Sequence, residues 1–168
     1  IGDWAFYNCD SLTSVVIGSS VTTIGDYAFS FCTSLTSVYY NGSIEGWCKI
    51  TFIDYYSNPL NKGAKLYIGG ELITELVIPN SITKINAYAF YNYDSLTSVV
   101  IGDSVTSIGA SAFLATQLTN VMIPDSVTSI GKYAFCICDS LQSIDIPESV
   151  TEIGDWAFSD CYSLQTIV

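Results

Sequence analysis

The chain contains no histidine and no arginine, and its five lysines face sixteen acidic residues, which gives a net charge of −11. Nucleic-acid binding and adhesion to an anionic membrane both need a basic surface, so this balance argues against both. Without histidine there is no Ser-His or Cys-His catalytic pair, and neither a P-loop nor a G-x-G-x-x-G motif is present. The composition predicts a protein that is not an enzyme and has no nucleic-acid partner. The basic residues are Lys49, Lys62, Lys65, Lys84 and Lys132.

Long apolar runs are also absent, because no stretch approaches the ~20 residues that a membrane-spanning helix needs. The first residues, Ile1-Gly2-Asp3-Trp4, lack the basic and apolar segments of a signal peptide. We therefore expect no direct membrane insertion of this segment. About half of the residues, 49%, are apolar, which is enough for a continuous core.

The dipeptide Ala-Phe recurs through the chain, and its spacing reveals an internal repeat. The phenylalanines are separated by 23, 61, 23, 22 and 23 residues, so the unit is 23 residues long, with one insertion and one single-residue deletion. Because the chain begins within a unit, we expect it to be a fragment of a longer array. The phenylalanines are Phe6, Phe29, Phe90, Phe113, Phe135 and Phe158.

The apolar positions of the unit fit neither a helical period nor strict alternation throughout, but they fit a coil that bends several times around one core. Alternation after the leucine predicts a strand in which residues such as Val99 and Ile101 face inward. The strand is followed by Gly or Pro, an acidic residue and Ser, a combination that predicts a turn. The Gly of the following Ile-Gly pair suggests a bend with positive φ. The Ala-Phe segment is expected to form a turn or a 3₁₀ piece that buries Phe in a ladder along the stack.

The pattern L-x-x-[VI]-x-I-P-x-S-V-T-x-I-G-x-x-A-F-x-x-C resembles the BspA-like leucine-rich repeat, also called the treponemal type, over nearly the whole chain. The resemblance implies an α/β-type repeat solenoid: a right-handed stack of coils with a parallel β-sheet on the concave face, mostly β with short 3₁₀ or turn segments. It also implies large surface or secreted proteins of host-associated bacteria and some protists, associated with adhesion to host proteins, extracellular matrix and other cells.

An irregular insertion interrupts a single solenoid of residues 1–168 at about residues 41–72. Ile44 to Ile50 has the pattern of a short amphipathic helix, and two apolar runs around Gly69-Gly70 are typical of a hairpin. The W-C-K-I and N-P-L pattern is similar to inserts of the same family, which implies a standard variant coil. The insertion is either a recognition element or a structural spacer.

Six cysteines invite a disulfide or a metal site. Four of them, Cys9, Cys32, Cys138 and Cys161, occupy one position of the unit, where another copy has Tyr93. We expect reduced, buried thiols that act as small hydrophobes, and no metal site or cofactor, because no histidine and no second cysteine pair completes a zinc tetrahedron. Asp103, Asp125 and Glu148 recur in the turns and would form a row along one edge; solvated turn acids explain them better than a calcium row.

Two surfaces emerge from the pattern. The first is a column of outward strand side chains on the concave face, here called the outward strip, and its apolar members suggest a partner site. Sheet packing of β-branched residues explains the same column equally well. The second is a row of aromatic residues before Ala-Phe, interpreted as shielding of the convex side. The outward strip comprises Val16, Tyr39, Val77, Val100, Met122 and Asp145, and the aromatic row comprises Trp4, Tyr27, Tyr88, Tyr133 and Trp156, with Ser111 interrupting it.

The leading functional hypothesis is an extracellular or cell-surface module that binds a host or cell-surface protein, including extracellular matrix, through the outward strip. The runner-up is a structural stalk without its own ligand. Because neither end carries a polar cap, we also expect neighbouring coils or end-to-end self-association.

Overall fold

Two rows of short parallel strands run along the computed structural model, which describes all residues 1–168. The chain winds as a right-handed solenoid of about seven turns with very little helix, so the predicted fold class is confirmed. The first row forms the concave sheet: β1 (Ser14–Ile17), β3 (Ser37–Tyr40), β5 (Lys65–Ile68), β7 (Glu75–Val77), β9 (Ser98–Val100), β11 (Asn120–Met122), β13 (Ser143–Asp145) and β15 (Thr166–Ile167). The second row comprises β2 (Thr23–Ile24), β4 (Thr51–Phe52), β8 (Lys84–Ile85), β10 (Ser107–Ile108), β12 (Ser129–Ile130) and β14 (Glu152–Ile153).

The register follows the repeat, because corresponding residues of consecutive units lie side by side. Ser14 pairs with Ser37 on the next coil, and the same parallel register joins β7 to β9 and β11 to β13. Recurring threonines add to the backbone ladder: the Thr97 hydroxyl donates to the Thr74 carbonyl of the preceding coil at 3.2 Å. Each coil is therefore held mainly by its immediate neighbours, as in other repeat arrays.

The core consists of the inward strand residues and a column of phenylalanine rings. Val99 and Ile101 are buried, as the alternation predicts. The Phe113 ring stacks on Phe90 at a centroid distance of 5.5 Å and on Phe135 at 5.3 Å, with interplanar angles of 8° and 10°. The predicted phenylalanine ladder is therefore present, and it is interrupted only where the insertion replaces Ala-Phe.

The outer turn of each coil corrects one prediction. The glycine after Ile does not adopt a positive φ. It is needed because a Cβ on Gly131 would lie 2.6 Å from the Ala110 backbone nitrogen of the preceding coil, which is closer than real Cβ contacts allow. The positive φ values belong to the residue before Ala-Phe and to the residue four positions later, for example Tyr133 and Ile137, both at 58°. The Ala-Phe segment is a series of turns without a 3₁₀ helix.

The insertion forms an enlarged coil followed by a hairpin. Ser43 caps the N-terminus of helix α1 (Ile44–Lys49), because its hydroxyl accepts a hydrogen bond from the Gly46 amide. An ion pair joins Glu45 to Lys49 within the helix, at 2.6 Å. β5 then pairs in parallel with β3 and antiparallel with β6 (Glu71–Leu72), through a turn in which Gly69 and Gly70 have φ of 62° and 87°. The concave sheet is consequently interrupted between β6 and β7, and β7 pairs only with β9.

Side chains replace the backbone ladder at the junction between this enlarged coil and the next regular coil. Three side-chain nitrogens donate across the junction to backbone carbonyls. Two of these carbonyls, those of the buried residues Ala89 and Ile50, accept no backbone hydrogen bond and need the side-chain donors. The bonds run from Trp47 Nε1 to Ala89 at 2.8 Å, from Asn58 Nδ2 to Tyr88 at 2.6 Å, and from Asn86 Nδ2 to Ile50 at 3.1 Å.

Tyr93 occupies the cysteine position of the unit and bridges the break in the sheet. Its side chain is fully buried, and its hydroxyl donates to the Ile73 carbonyl at 2.5 Å and accepts from the Leu66 amide at 3.3 Å. A cysteine is too short to reach either group, so the larger side chain follows from the wider gap that the hairpin creates.

Candidate functional site

The outward strip is exposed along the concave sheet. The exposed fractions of its apolar side chains are 64% for Val16, 40% for Tyr39, 64% for Val77, 58% for Val100 and 72% for Met122. Asp145 is also exposed. Strand geometry causes this arrangement, because the neighbours of buried residues on a strand point to the opposite face of the sheet.

The register brings the strip residues together in pairs. Val16 lies beside Tyr39, Val77 beside Val100, and Met122 beside Asp145. The hydrogen-bonded sheet is interrupted after β5 and again between β9 and β11, so the strip lies on three separate ladders. Strands β9 and β11 still contact each other, so Val77, Val100, Met122 and Asp145 follow one another along the second half of the row.

Tyr67 belongs to the strip, although the repeat pattern does not identify it. It lies beside Tyr39 in the β3–β5 register, and the two rings stack at a centroid distance of 4.9 Å. The spacing between these tyrosines is 28 residues and not 23, because the enlarged coil intervenes. The alternation in Lys65-Leu66-Tyr67-Ile68 is the only signal that could have placed Tyr67 on the sheet face.

A depression of about 1080 Å³ lies between the outward strip and the turns that follow β9, β11 and β13. Val100 and Met122 form its apolar side, and the turn prolines Pro124 and Pro147 line the other side. Four carboxylates also line it, and we call this surface the acidic trough. Its acids are Asp103, Asp125, Asp145 and Glu148.

The aromatic row lies along the outer turns. Tyr27 stacks on Trp4 at 4.5 Å and on Tyr56, the corresponding residue of the enlarged coil, at 5.2 Å. Tyr27, Tyr88 and Tyr133 are half-buried, whereas Trp4 and Trp156 in the outermost coils are exposed. Within the row, stacking joins only Trp4, Tyr27 and Tyr56, and shielding of the convex side stays a prediction.

Most of the cysteines occupy environments that disfavour thiol chemistry. All six are unpaired, and three of the four at the repeat position, Cys32, Cys138 and Cys161, donate to the phenylalanine carbonyl of the preceding coil, as Cys138 does to Phe113 at 3.2 Å. Burial raises the pKa of Cys48 to about 12, and burial also raises the pKa of Cys32. Two cysteines differ: Cys9 is exposed, and a hydrogen bond with Cys138 lowers the pKa of the half-buried Cys161. Thiolates are the nucleophilic and metal-binding form, so the buried thiols are unsuited to either role.

Paired carboxylates occur at one place, on the outer turns. Partial burial and a hydrogen bond with Asp54 raise the pKa of Asp26, and the charge of Asp3 acts in the same direction. Asp54 is fixed in turn by the amide and hydroxyl of Ser57, at 2.6 and 2.7 Å. No cluster of three or more His, Cys, Asp or Glu side chains is arranged around a common point as metal ligands would be.

No helix of the structure has the length and apolar character needed to cross a membrane. Comparison with curated proteins yields no match.

Solved structures with the same architecture come from several bacteria. A leucine-rich repeat protein from Bacteroides ovatus matches with a TM-score of 0.63 and 25% identity, over 99% of this chain and 51% of the other. A T. pallidum leucine-rich repeat protein matches with a TM-score of 0.62 and 28% identity, over 98% and 71%. A leucine-rich cell surface protein from Faecalibacterium prausnitzii matches with a TM-score of 0.53 and 26% identity, over 99% and 62%. The chain thus spans about half of the B. ovatus protein and about three-fifths of the F. prausnitzii protein.

The family model for the BspA type leucine-rich repeat region matches this chain in six copies, over residues 1–59 and 63–168. These ranges include both rows of strands, the phenylalanine column and most of the insertion. The chain belongs to the BspA-type leucine-rich repeat family.

Proposed function

We propose that the chain is a non-enzymatic module of an extracellular or cell-surface protein that binds another protein through the outward strip. The observation that carries the proposal is the exposure of Val77, Val100 and Met122 on three successive strands of the concave row that contact one another. Burying such side chains against a partner is favourable by roughly 25 cal/mol per Å² of apolar area. The partner class that we propose is a host or cell-surface protein, including extracellular matrix.

Sheet packing alone accounts poorly for Met122. Val16, Val77 and Val100 are β-branched, and such residues stabilise a sheet through contacts with their neighbours even where no ligand binds. Met122 is not β-branched and is the most exposed apolar member of the strip, at 72%, so it gains little from its neighbours. Methionine is also flexible and polarisable, and it is common at binding surfaces.

A similar solved structure is described as a cell surface protein, and this supports the proposed location. The high negative charge of the chain also favours solubility and disfavours binding to nucleic acid or to an anionic membrane.

The test is a binding assay on a defined panel, namely immobilised fibronectin, fibrinogen, laminin and collagen. Val100→Glu and Met122→Glu each place a charge in the strip and should abolish any binding seen with the wild type. Ile137→Glu is the matched control, because Ile137 is an exposed apolar residue outside the strip. Binding that survives in the strip variants would place the site elsewhere. A folded protein that binds nothing on the panel would favour the structural stalk.

A further inference from the structure

The acidic trough has two parallel rows of side chains with different chemistry. Val100 and Met122 present apolar atoms from β9 and β11, and Asp103, Asp125 and Glu148 present carboxylates from the turns after consecutive strands. Coils of a parallel stack are about 4.8 Å apart, so both rows repeat at that spacing along the solenoid axis. The trough is therefore a short apolar surface that ends at Asp145 and is bordered on one side by a line of negative charge.

Nothing within the chain neutralises this charge. The residues that line the trough include no lysine. Residues 85–168 contain nine acidic residues and one lysine, Lys132, whose ammonium lies 5.1 Å from the Tyr133 ring on the outer turns. The single salt bridge of the protein joins Lys49 to Glu45, in the insertion. A concave surface lined by one sign of charge attracts ligands of the opposite sign.

The turn role expected from the sequence does not account for every acid of the trough. Some turn acids elsewhere accept local hydrogen bonds, as Asp10 does from Ser11 and Asp94 from Ser95, whereas Asp139 and Asp155 accept none. The carboxylates of the trough accept none within the chain. Asp145 is not in a turn at all, because it ends β13 at the strip position where Met122 stands on β11. Aspartate is disfavoured in strands, so this position lacks a local structural explanation.

We infer that the acidic trough binds a protein segment that carries a row of lysine or arginine side chains beside a row of apolar side chains. This inference rests on the proposed function and specifies its partner. The apolar row covers Val100 and Met122, and the cationic row pairs with Asp103, Asp125 and Glu148. One further cation, at the end of the apolar row, pairs with Asp145. Successive turns of an α-helix are about 5.4 Å apart, close to the coil spacing, so an amphipathic basic helix presents both rows with the required period.

Three synthetic peptides of about 18 residues, each labelled with fluorescein, test the inference by fluorescence anisotropy against the whole chain. The first has a lysine row beside a leucine row at helical spacing, the second has glutamate in place of lysine, and the third has serine in place of leucine. Only the first should bind well, and its affinity should fall about tenfold or more between roughly 50 and 300 mM NaCl, because salt screens charge pairing.

A quadruple variant with Asp103→Asn, Asp125→Asn, Asp145→Asn and Glu148→Gln should bind the first peptide about tenfold or more weakly, since each lost charge pair weakens the complex. The matched control neutralises four exposed acids outside the trough and changes the net charge equally. It should bind within about twofold of the wild type, because distant exposed charges are screened. The control substitutions are Asp10→Asn, Asp94→Asn, Asp139→Asn and Asp160→Asn.

Three results would overturn the inference: equal binding of the acidic peptide, equal weakening in the control variant, or unchanged binding in the trough variant. These results are distinguishable from a failure of the proposed function. If Met122→Glu abolishes binding to a panel protein and the trough variant does not, the outward strip binds a partner that is not basic. In that case the proposed function stands and the inference about the acidic trough is wrong.

Discussion

The junction at Tyr93 makes a sharp prediction about how the array is held together. Tyr93→Phe keeps the buried ring and removes only the hydroxyl, which leaves the Leu66 amide and the Ile73 carbonyl without their partner. Leaving a buried polar group unsatisfied costs ~1–3 kcal/mol. For a chain of this length each kcal/mol corresponds to a decrease in Tm of about 2–4 °C. We therefore expect a loss of stability that is large for the removal of one oxygen atom.

Urea unfolding followed by circular dichroism measures the effect, with Tyr133→Phe as the matched control because no hydrogen bond of its hydroxyl is found within the chain. The urea midpoint should decrease clearly in Tyr93→Phe and hardly in the control. Since the backbone ladder is also interrupted here, a split transition in Tyr93→Phe would show that the coils on the two sides unfold separately. Equal midpoints in the two variants would refute the bridging role of Tyr93.

The pH dependence gives a second, independent measurement on the same residue. Burial raises the pKa of Tyr93 from its ordinary value of 10.0 to about 12. Between pH 10 and 12 the unfolded tyrosine ionises while the folded one stays neutral, so its stabilising contribution is complete below pH 10 and is lost as the pH rises toward 12. The stability difference between wild type and Tyr93→Phe should therefore narrow at pH 11. A constant difference would contradict the burial of the hydroxyl.

Three further predictions concern the repeat itself. Phe135→Ala should destabilise by ~3–5 kcal/mol and split or abolish the unfolding transition, and an unchanged melting curve would refute the phenylalanine column. Gly131→Ala should destabilise by ~1–3 kcal/mol because its Cβ would overlap the preceding coil, whereas Gly18→Ala, which has no atom within 4 Å of the added Cβ, should melt like the wild type. Mass spectrometry after brief native alkylation should find the exposed Cys9 modified and the buried Cys48 unmodified, and the reverse order would contradict their burial.

The repeat period predicts most of the fold, because each coil makes the same contacts with its neighbours. Once Phe113 and Phe135 are aligned, the positions of the strands, their parallel register and the stacked rings follow. The role of the recurring glycine could not be predicted in the same way. A glycine is needed either for a positive φ or for close backbone approach, and a sequence alone does not distinguish these reasons. The positive φ values at Tyr133 and Ile137 could not be predicted from the sequence either, because large and β-branched residues rarely adopt that conformation.

The candidate site could be predicted only in part. Alternation on the strands predicts the exposure of Val100 and Met122, and the repeat predicts the row of turn acids. The trough itself depends on how far the turns project beside the sheet, which no residue pattern specifies. Tyr67 was missed because the enlarged coil changes its spacing. Whether the outward strip binds a partner stays a prediction.

The twelve non-glycine residues with positive φ, two in each regular coil, have a consequence for engineering. A left-handed backbone conformation costs an ordinary residue roughly 1–2 kcal/mol, and asparagine and aspartate tolerate it best. Asn8, Asn92 and Asp160 already occupy the second of these positions in three coils, whereas Ile137 does not relieve the cost. Ile137→Asn should therefore raise the melting temperature without any change in the core. Each regular coil thus contains one position at which a substitution to asparagine can raise the stability of a longer engineered array through backbone preference alone.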